Sequence, residues 1–478
     1  MEAGLGKSGD EKEEDTKSWF DVELPLGEAA EAFDLEKAVC SHGLFMMAPN
    51  KWDPLSKSLL RPLRLNNDND GDDDTVLVRV SHPSDLPHSL LLRVLGRLSL
   101  SPLQSDAVVA QVRRMLRLSE REERKVREFQ LMHAEAKKTG FGRVFRSPTL
   151  FEDMVKSILF CNCQWPRTLS MARALCELQL ELSHHSSRLY SGQVDHIYSK
   201  AATTGTEWFT PRTPSAKESL KRFKRHKISQ ALWREGAEAA NVLETRSLEN
   251  SISSFISAKK EYNTNNSGTC CQAIDENCEA DSEGREPFSY PSIGNFPSPK
   301  EIASLDEKYL AKRCNLGYRA GRILKLAQSV VDGRVQLREL EELCAETSMS
   351  NYDKVDEKLK EIHGFGPFTR GNVLMCMGFY NVVPADSETI RHLKQVHGRS
   401  TTTQTVQKAI EEIYREFEPF QFLAYWSEMW DFYEKWFGKL SEMPPSEYRL
   451  ITASNMRTKR KLVVEDSKSL AAITGSKD

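Results

Sequence analysis

No stretch of the 478-residue chain approaches the roughly 20 consecutive apolar residues that a membrane-crossing helix needs, so no membrane partner is expected. Cysteine is sparse: the ten are scattered except for Cys161/Cys163 and Cys270/Cys271, which suits free thiols in a reducing compartment. No four-cysteine cluster follows 363–398, which argues against a cysteine-held iron–sulfur cluster there. The opening MEAGLGKSGDEKEEDTKSW is acidic and lacks an apolar segment, so neither secretion nor an organelle transit peptide is signalled. The acidic run NNDNDGDDD (66–74) lacks the glutamate that closes a calcium loop, and a solvated hairpin tip is expected instead. Formal net charge is only −3, so any polyanion must be met by a local patch.

What is present suits a soluble chain of two or three domains, with 39% hydrophobic and 28% charged residues. Residues 1–30 read as a disordered acidic tail. TVLVRV (75–80) has strand-like alternation and SLLLRVL (89–95) lies beside it, so 31–100 is expected to be a small sheet-containing domain. From 101 to 182 the pattern is helical, with Ser147 expected to cap a helix over 147–160. Residues 183–290 are polar with weak periodicity and read as a low-order insertion carrying the basic run KRFKRHK (221–227). Helical patterning resumes over 291–440, and 441–478 reads as a second disordered tail containing TKRK (458–461). The fold class implied is α+β, mainly α.

HGFGPFTRGN (363–372) concentrates the chemistry. Val355, Leu359 and Ile362 form one helical face that must stop at Gly364, where glycine permits positive φ. Gly366 allows a tight curve, and Pro367 suits the first turn of the next helix. Such a corner offers unpaired backbone N–H groups to a phosphate, although an ordinary helical hairpin has the same pattern. Downstream, Pro384 sets the chain and Asp386 opens another helix. A carboxylate there is a plain N-cap, or else a fixed anion held ionised by the helix dipole, able to stabilise a cationic sugar.

These residues resemble a known family. LKEIHGFGPFTRGNVLMCMGFYNVVPADSETIRHL (359–393) is similar to the hairpin-and-aspartate signature of the helix–hairpin–helix (HhH-GPD) DNA glycosylases. FDLEKAVCSHGLF (33–45) resembles the opening of the 8-oxoguanine and 3-methyladenine branches. SPTLFEDMVKSILFCNCQWPRTLSMARALC (147–176) and LGYRAGRI (316–323) resemble the 8-oxoguanine branch. The resemblance implies a small β-containing N-terminal domain joined to a helical glycosylase core. It implies that the damaged nucleotide is flipped from duplex DNA, with Asp386 serving base excision. It implies a backbone grip at Gly364, Gly366 and Thr369, a wedge at Asn162, and contacts of Arg167, Tyr318 and Arg319 with the orphaned base or kinked duplex. The carbonyls of Lys360, Ile362 and Phe365 match positions that bind a monovalent cation (K⁺ or Na⁺) in relatives; no organic cofactor is implied.

Two departures shape the expected reaction. The lysine that attacks the sugar in the 8-oxoguanine branch is replaced by Phe368, and Arg370 beside it cannot deprotonate to act as a nucleophile. The glutamine–phenylalanine pair that recognises 8-oxoguanine is replaced by Tyr425 and Met429. The expectation is a monofunctional glycosylase that leaves an abasic site, with a pocket of Phe368, Tyr425 and Trp430 suited to alkylated purines. Two alternatives stand beside it: a bifunctional glycosylase/lyase recruiting Lys394 or Lys360, and a non-catalytic DNA-damage-binding protein. A monomeric nuclear enzyme, handing its product to abasic-site processing enzymes, completes the reading.

Overall fold

The computed structural model describes residues 18–65, 74–190, 294–344 and 348–456. All belong to the unit formed by Met1–Gln193 and Tyr290–Asp478. The basic runs at 221–227 and 458–461 lie outside the described residues, as does 66–73 of the acidic run.

The sheet contains five strands among the described residues: β1 (Trp19–Pro25), β2 (Lys51–Asp53), β3 (Ser58–Arg64), β4 (Thr75–Ser81) and β5 (Ser89–Leu95). Their order is β1-β5-β4-β3-β2, and every pairing is antiparallel. β4 follows the period-2 expectation, with Val76, Val78 and Val80 buried and the alternate residues partly exposed. β1 corrects the expected tail over 1–30. WFDVELP pairs along its length with β5, from Trp19 opposite Leu95 to Pro25 opposite Ser89. Its acid is a cross-strand partner, since Arg93 Nε donates to Asp21 Oδ1 at 2.8 Å.

Helices follow: α1 (Leu35–Val39), α2 (Pro102–Leu116), α3 (Glu120–Met132), α4 (Ala134–Thr139), α5 (Leu150–Phe160) and α6 (Trp165–Tyr190). Beyond the undescribed stretch come α7 (Pro299–Ala303), α8 (Glu307–Arg313), α9 (Arg319–Val331), α10 (Leu337–Leu343) and α11 (Met349–Lys360). The series ends with α12 (Pro367–Met377), α13 (Ser387–Val396), α14 (Val406–Tyr414) and α15 (Gln421–Phe437). α5 is the central helix, almost wholly buried. Its charged residues are enclosed, so they need partners. Arg61 of β3 donates to Glu152 at 2.6 Å, and Lys156 lies 2.7 Å from the other oxygen. Burial pushes the Glu152 carboxyl up, but these two cations outweigh it and hold it at about 2.

Three boundaries differ from expectation. Thr149, not Ser147, caps α5, its side chain accepting from the Glu152 N–H, while the Ser147 N–H is taken by Asp153. α6 runs on to Tyr190, past the expected break at 183. Residues 441–456 are not a loose tail: Met443, Tyr448 and Met456 are buried, and the Trp52 indole donates to the Ser441 carbonyl at 2.9 Å. Apolar residues this widely spaced carry no periodic signal, so only the tertiary contact reveals them.

Candidate active site at the glycine corner

α11 buries Val355 and Leu359, and the turn after it buries Ile362 and Phe365. Gly364 has φ +87°, the left-handed region in which a side chain is strained. Gly366 is the N-cap of α12 with φ −76°, which any residue adopts. Its contribution is space, for nothing lies within 4 Å of where its Cβ would stand. No side chain caps α12. The N–H groups of Gly366, Phe368 and Thr369 have no hydrogen-bond acceptor among the described residues.

The opposite end of α12 is heavily satisfied. Arg117 Nη2 donates to the carbonyls of Met375 and Cys376, both at 3.0 Å. Arg146 donates to Cys376 at 2.8 Å, and Lys125 donates to Gly378 at 2.9 Å. Burial lowers Arg146 to about 9 and Lys125 to about 8. Three cations at the carbonyl end complement the helix dipole and fix the helix, leaving its positive end open. The sequence hides this, because the cations come from α2, α3 and the loop before α5.

Thr369 is 2% exposed, and its hydroxyl lies 2.8 Å from Cys161 Sγ. Its hydroxyl is therefore already engaged, and what is left without an acceptor among the described residues is its main-chain N–H. The contact ties α12 to the end of α5, one residue before Asn162. Asn162 is exposed with φ +45°. Arg319 lies beneath it, 2% exposed, donating to the carbonyls of Cys161 and Asn162. Its side chain is therefore enclosed rather than open to DNA as expected, and it holds the turn that presents Asn162. Tyr318 is exposed on one side and donates to the Cys161 carbonyl at 3.2 Å. Arg167 is exposed and donates to Asn315 at 3.2 Å.

Asp386 is the N-cap of α13. Its Oδ1 accepts from the N–H groups of Glu388 and Thr389, both at 2.9 Å, and from Thr389 Oγ1 at 3.2 Å. Oδ2 accepts no hydrogen bond among the described residues and is not enclosed. One oxygen is locked and the other is open. Burial raises the Asp386 carboxyl above the ordinary aspartate value despite the Thr389 hydrogen bonds. Desolvation outweighs the helix-end donors in setting the direction of the shift, and a raised pKa makes the open oxygen a stronger base. Gly371 of α12 connects this residue to the corner. A Cβ there would meet the Pro384 ring at 3.2 and 3.3 Å, so the segment leading into Asp386 lies directly on α12.

The expected aromatic pocket assembles only in part. Tyr425 is buried, with its hydroxyl 3.0 Å from Thr389 Oγ1, so it supports the carboxylate from behind. Trp430 stands about 140° around α15 from Tyr425 at 100° per residue. It faces the sheet domain, 6.4 Å from the Phe45 ring and 6.0 Å from that of Trp426. No ring contact joins Phe368, Tyr425 and Trp430 among the described residues. Tyr433 is an additional neighbour: burial raises its phenol and that of Tyr425, with the Asp386 charge adding to both. Its spacing of eight from Tyr425, two turns on α15, was the available signal.

Two groups of donors lie where a cation could be held. At the corner, the Ile362 carbonyl accepts from the Phe365 N–H at 3.1 Å. The Phe365 carbonyl accepts from Arg370 Nη1 at 3.2 Å, and Asp356 holds the same guanidinium at 2.6 Å. A fixed positive charge already faces that carbonyl, so a monovalent cation does not fit this donor set well. Elsewhere, the Nε2 atoms of His392 and His397 lie 3.2 and 2.8 Å from Glu428 Oε2, which also accepts from Tyr414 at 2.6 Å. A metal on His392 Nε2 would require the proton on Nδ1, which is buried without a partner. The cluster is better satisfied as a hydrogen-bond hub joining α13, α14 and α15.

No family model matches the chain, and no curated protein matches it. Among solved structures it is similar to the 3-methyladenine DNA-glycosylase from Archaeoglobus fulgidus, at 15% identity over 87% of this chain and 99% of that one, with a TM-score of 0.46. It is similar to MBOgg1 in complex with a low affinity DNA ligand, at 14% identity over 90% and 99% of the two chains, with a TM-score of 0.43. A third is the Clostridium acetobutylicum 8-oxoguanine glycosylase/lyase in complex with dsDNA containing cytosine opposite 8-oxoG, at 11% identity over 83% and 92%, also with a TM-score of 0.43. At these identities and scores they are likenesses only; what the site can do follows from its own residues.

Proposed function

We propose that the chain is a monofunctional DNA glycosylase that hydrolyses the N-glycosidic bond of a damaged base and leaves an abasic site. The reading is carried by the geometry of Asp386. One oxygen is pinned by three donors and the other is open, on a segment seated against the helix whose N-terminal N–H groups have no acceptor among the described residues. The corner grips the strand, Asn162 occupies the space left by the extruded base, and the open oxygen of Asp386 faces the sugar. As the glycosidic bond lengthens, positive charge grows on the sugar and the carboxylate stabilises it. The same oxygen accepts a proton from the attacking water, a task its raised pKa favours.

Water rather than an amine is the nucleophile in this reading. Phe368 stands at the second position of α12, and the nearby alternatives are poorly placed. Lys360 pairs with Glu357 at 3.2 Å, while Lys394 is exposed about 12 Å of helix rise from Asp386. Phe368 is the aromatic surface left to meet a flipped base, and a cationic alkylated purine is the substrate class it suits. Nuclear residence and hand-over to abasic-site processing enzymes belong to the same proposal. The test is a panel of duplexes carrying alkylated, oxidised or deaminated bases, scored for base loss with and without alkali. Alkali-dependent strand breaks are expected, with no adduct on borohydride trapping. A trapped covalent complex would instead establish a lyase, and no base loss from any duplex would overturn the enzymatic reading.

A further inference from the structure

α9 presents Tyr318, Arg322 and Lys325 at spacings of four and three, which is one face of a helix. Tyr318 caps its start, and the Arg319 and Arg322 guanidinium carbons lie 4.6 and 4.8 Å from its ring centre. Arg319 turns inward to the Asn162 turn. Arg322 turns the other way, over the glycine corner: a Cβ on Gly364 would come within 2.7 Å of its Cδ and 2.9 Å of its Nε. Among the described residues Arg322 makes no ion pair and no hydrogen bond, and neither does Lys325. This is unusual in a molecule whose other arginines around the site are engaged with carboxylates or carbonyls.

Lys325, a turn further on, opens into a cleft of about 540 Å³ that runs beside the corner between α9, α10 and α11. Its other cations are partnered: Arg334 with Asp332 at 2.7 Å and Lys358 with Glu339 at 3.0 Å. The two cations without partners therefore form a short line, starting at the wedge turn, crossing the glycine corner and entering the cleft.

We propose that Arg322 and Lys325 bind successive backbone phosphates of DNA, so that the strand continues from the α12 N-terminus along this face of α9. The inference rests on the DNA reading above and adds a contact to it. Stacking on Tyr318 and packing over Gly364 restrict the Arg322 side chain before binding, so less rotamer freedom is lost when it meets a phosphate. The flat guanidinium supplies two donors to one phosphate beside the open N–H groups of α12. Gly364 is required here twice, for its backbone conformation and for the room Arg322 needs.

The experiment uses the full chain and a fluorescein-labelled duplex containing a tetrahydrofuran abasic analogue. Anisotropy gives Kd from about 50 to about 200 mM salt, where each phosphate contact contributes a slope of about 0.9 in log–log form. The double variant Arg322→Gln/Lys325→Gln is expected to lower the slope by about 1.8, so its affinity changes about 12-fold less across that range. Arg322→Lys keeps the charge, and its slope should stay at the wild-type value. Melting temperature separates a binding loss from a folding loss, since a purely structural Arg322 would lower it in both Arg322 variants and leave the slope alone. An unchanged slope in a folded double variant overturns this inference while leaving the DNA reading intact. No binding by the unaltered chain at low salt would overturn both.

Discussion

Gly371→Ala separates catalytic positioning from stability because the two effects have opposite signs. Gly371 lies within α12, where replacing glycine by alanine in a helix interior gains about 1 kcal/mol of intrinsic propensity. The new methyl would stand 3.2 Å from Pro384 Cβ, 3.3 Å from Cγ and 3.5 Å from Cα. Carbon–carbon contacts are most favourable at about 3.5–4.0 Å, so the Pro384 segment must retreat by roughly half an ångström. The strain offsets part of the propensity gain, and the melting temperature should move by no more than about 2 °C. Asp386 moves with its segment. A misplacement of about 1 Å can reduce a rate about 100-fold, so about half that shift predicts a loss of about tenfold, or about 1.4 kcal/mol in the barrier. The assay is single-turnover base release with protein in excess, alongside thermal unfolding. Full activity in a stably folded Gly371→Ala protein would refute the claim that α12 sets the position of the carboxylate.

Four further outcomes follow from the charges. Base release needs ionised Asp386, and burial raises that carboxyl, so the rate should fall with decreasing pH through a midpoint above the ordinary aspartate value of about 3.9. Thr389→Val removes a hydrogen bond that lowers the pKa and should move this acid limb upward; a limb at or below the ordinary value contradicts the desolvation argument. Because the folded pKa lies above the unfolded one, ionising Asp386 opposes folding above that pKa, and Asp386→Asn should melt no lower than the unaltered chain at neutral pH. Glu428 has the opposite sign: burial raises its carboxyl, but His392, Tyr414 and His397 hold it at about 2. Its stabilisation is present above about 4.5 and is lost as pH falls towards 2. Glu428→Ala should therefore cost about 2–3 kcal/mol at neutral pH by denaturant unfolding and flatten the acid limb of the stability curve.

The parts legible in the sequence were those with a local period or a local cap. The alternation of Val76, Val78 and Val80, the helical face of Val355 and Leu359, and the Asp386 helix start each lie within a few residues of chain. What escaped depends on partners far away in sequence. β1 is a strand because β5 accepts it, 70 residues on, although its own residues are nearly as acidic as the tail before them. The resemblance of LGYRAGRI to the 8-oxoguanine branch implies an open DNA contact at Arg319; only the fold shows Cys161 and Asn162 closing over it. Trp430 and Tyr425 share one aromatic-rich helix, which suggests one pocket, whereas helix rotation turns Trp430 towards Phe45. The upward shift of the Asp386 carboxyl is likewise invisible in the chain, since desolvation is a property of the assembled site and helix capping is a property of the sequence.

The most direct measurement compares Asp386→Asn with the unaltered chain in single-turnover base release and in binding to abasic-analogue DNA. Asparagine can keep an oxygen for the Glu388 and Thr389 donors but removes the charge and the basic open oxygen. The account predicts base release reduced by at least about a thousandfold, in line with losing about 4 kcal/mol of transition-state stabilisation, with abasic-DNA affinity within about threefold. Base release at an undiminished rate by the asparagine variant would contradict it.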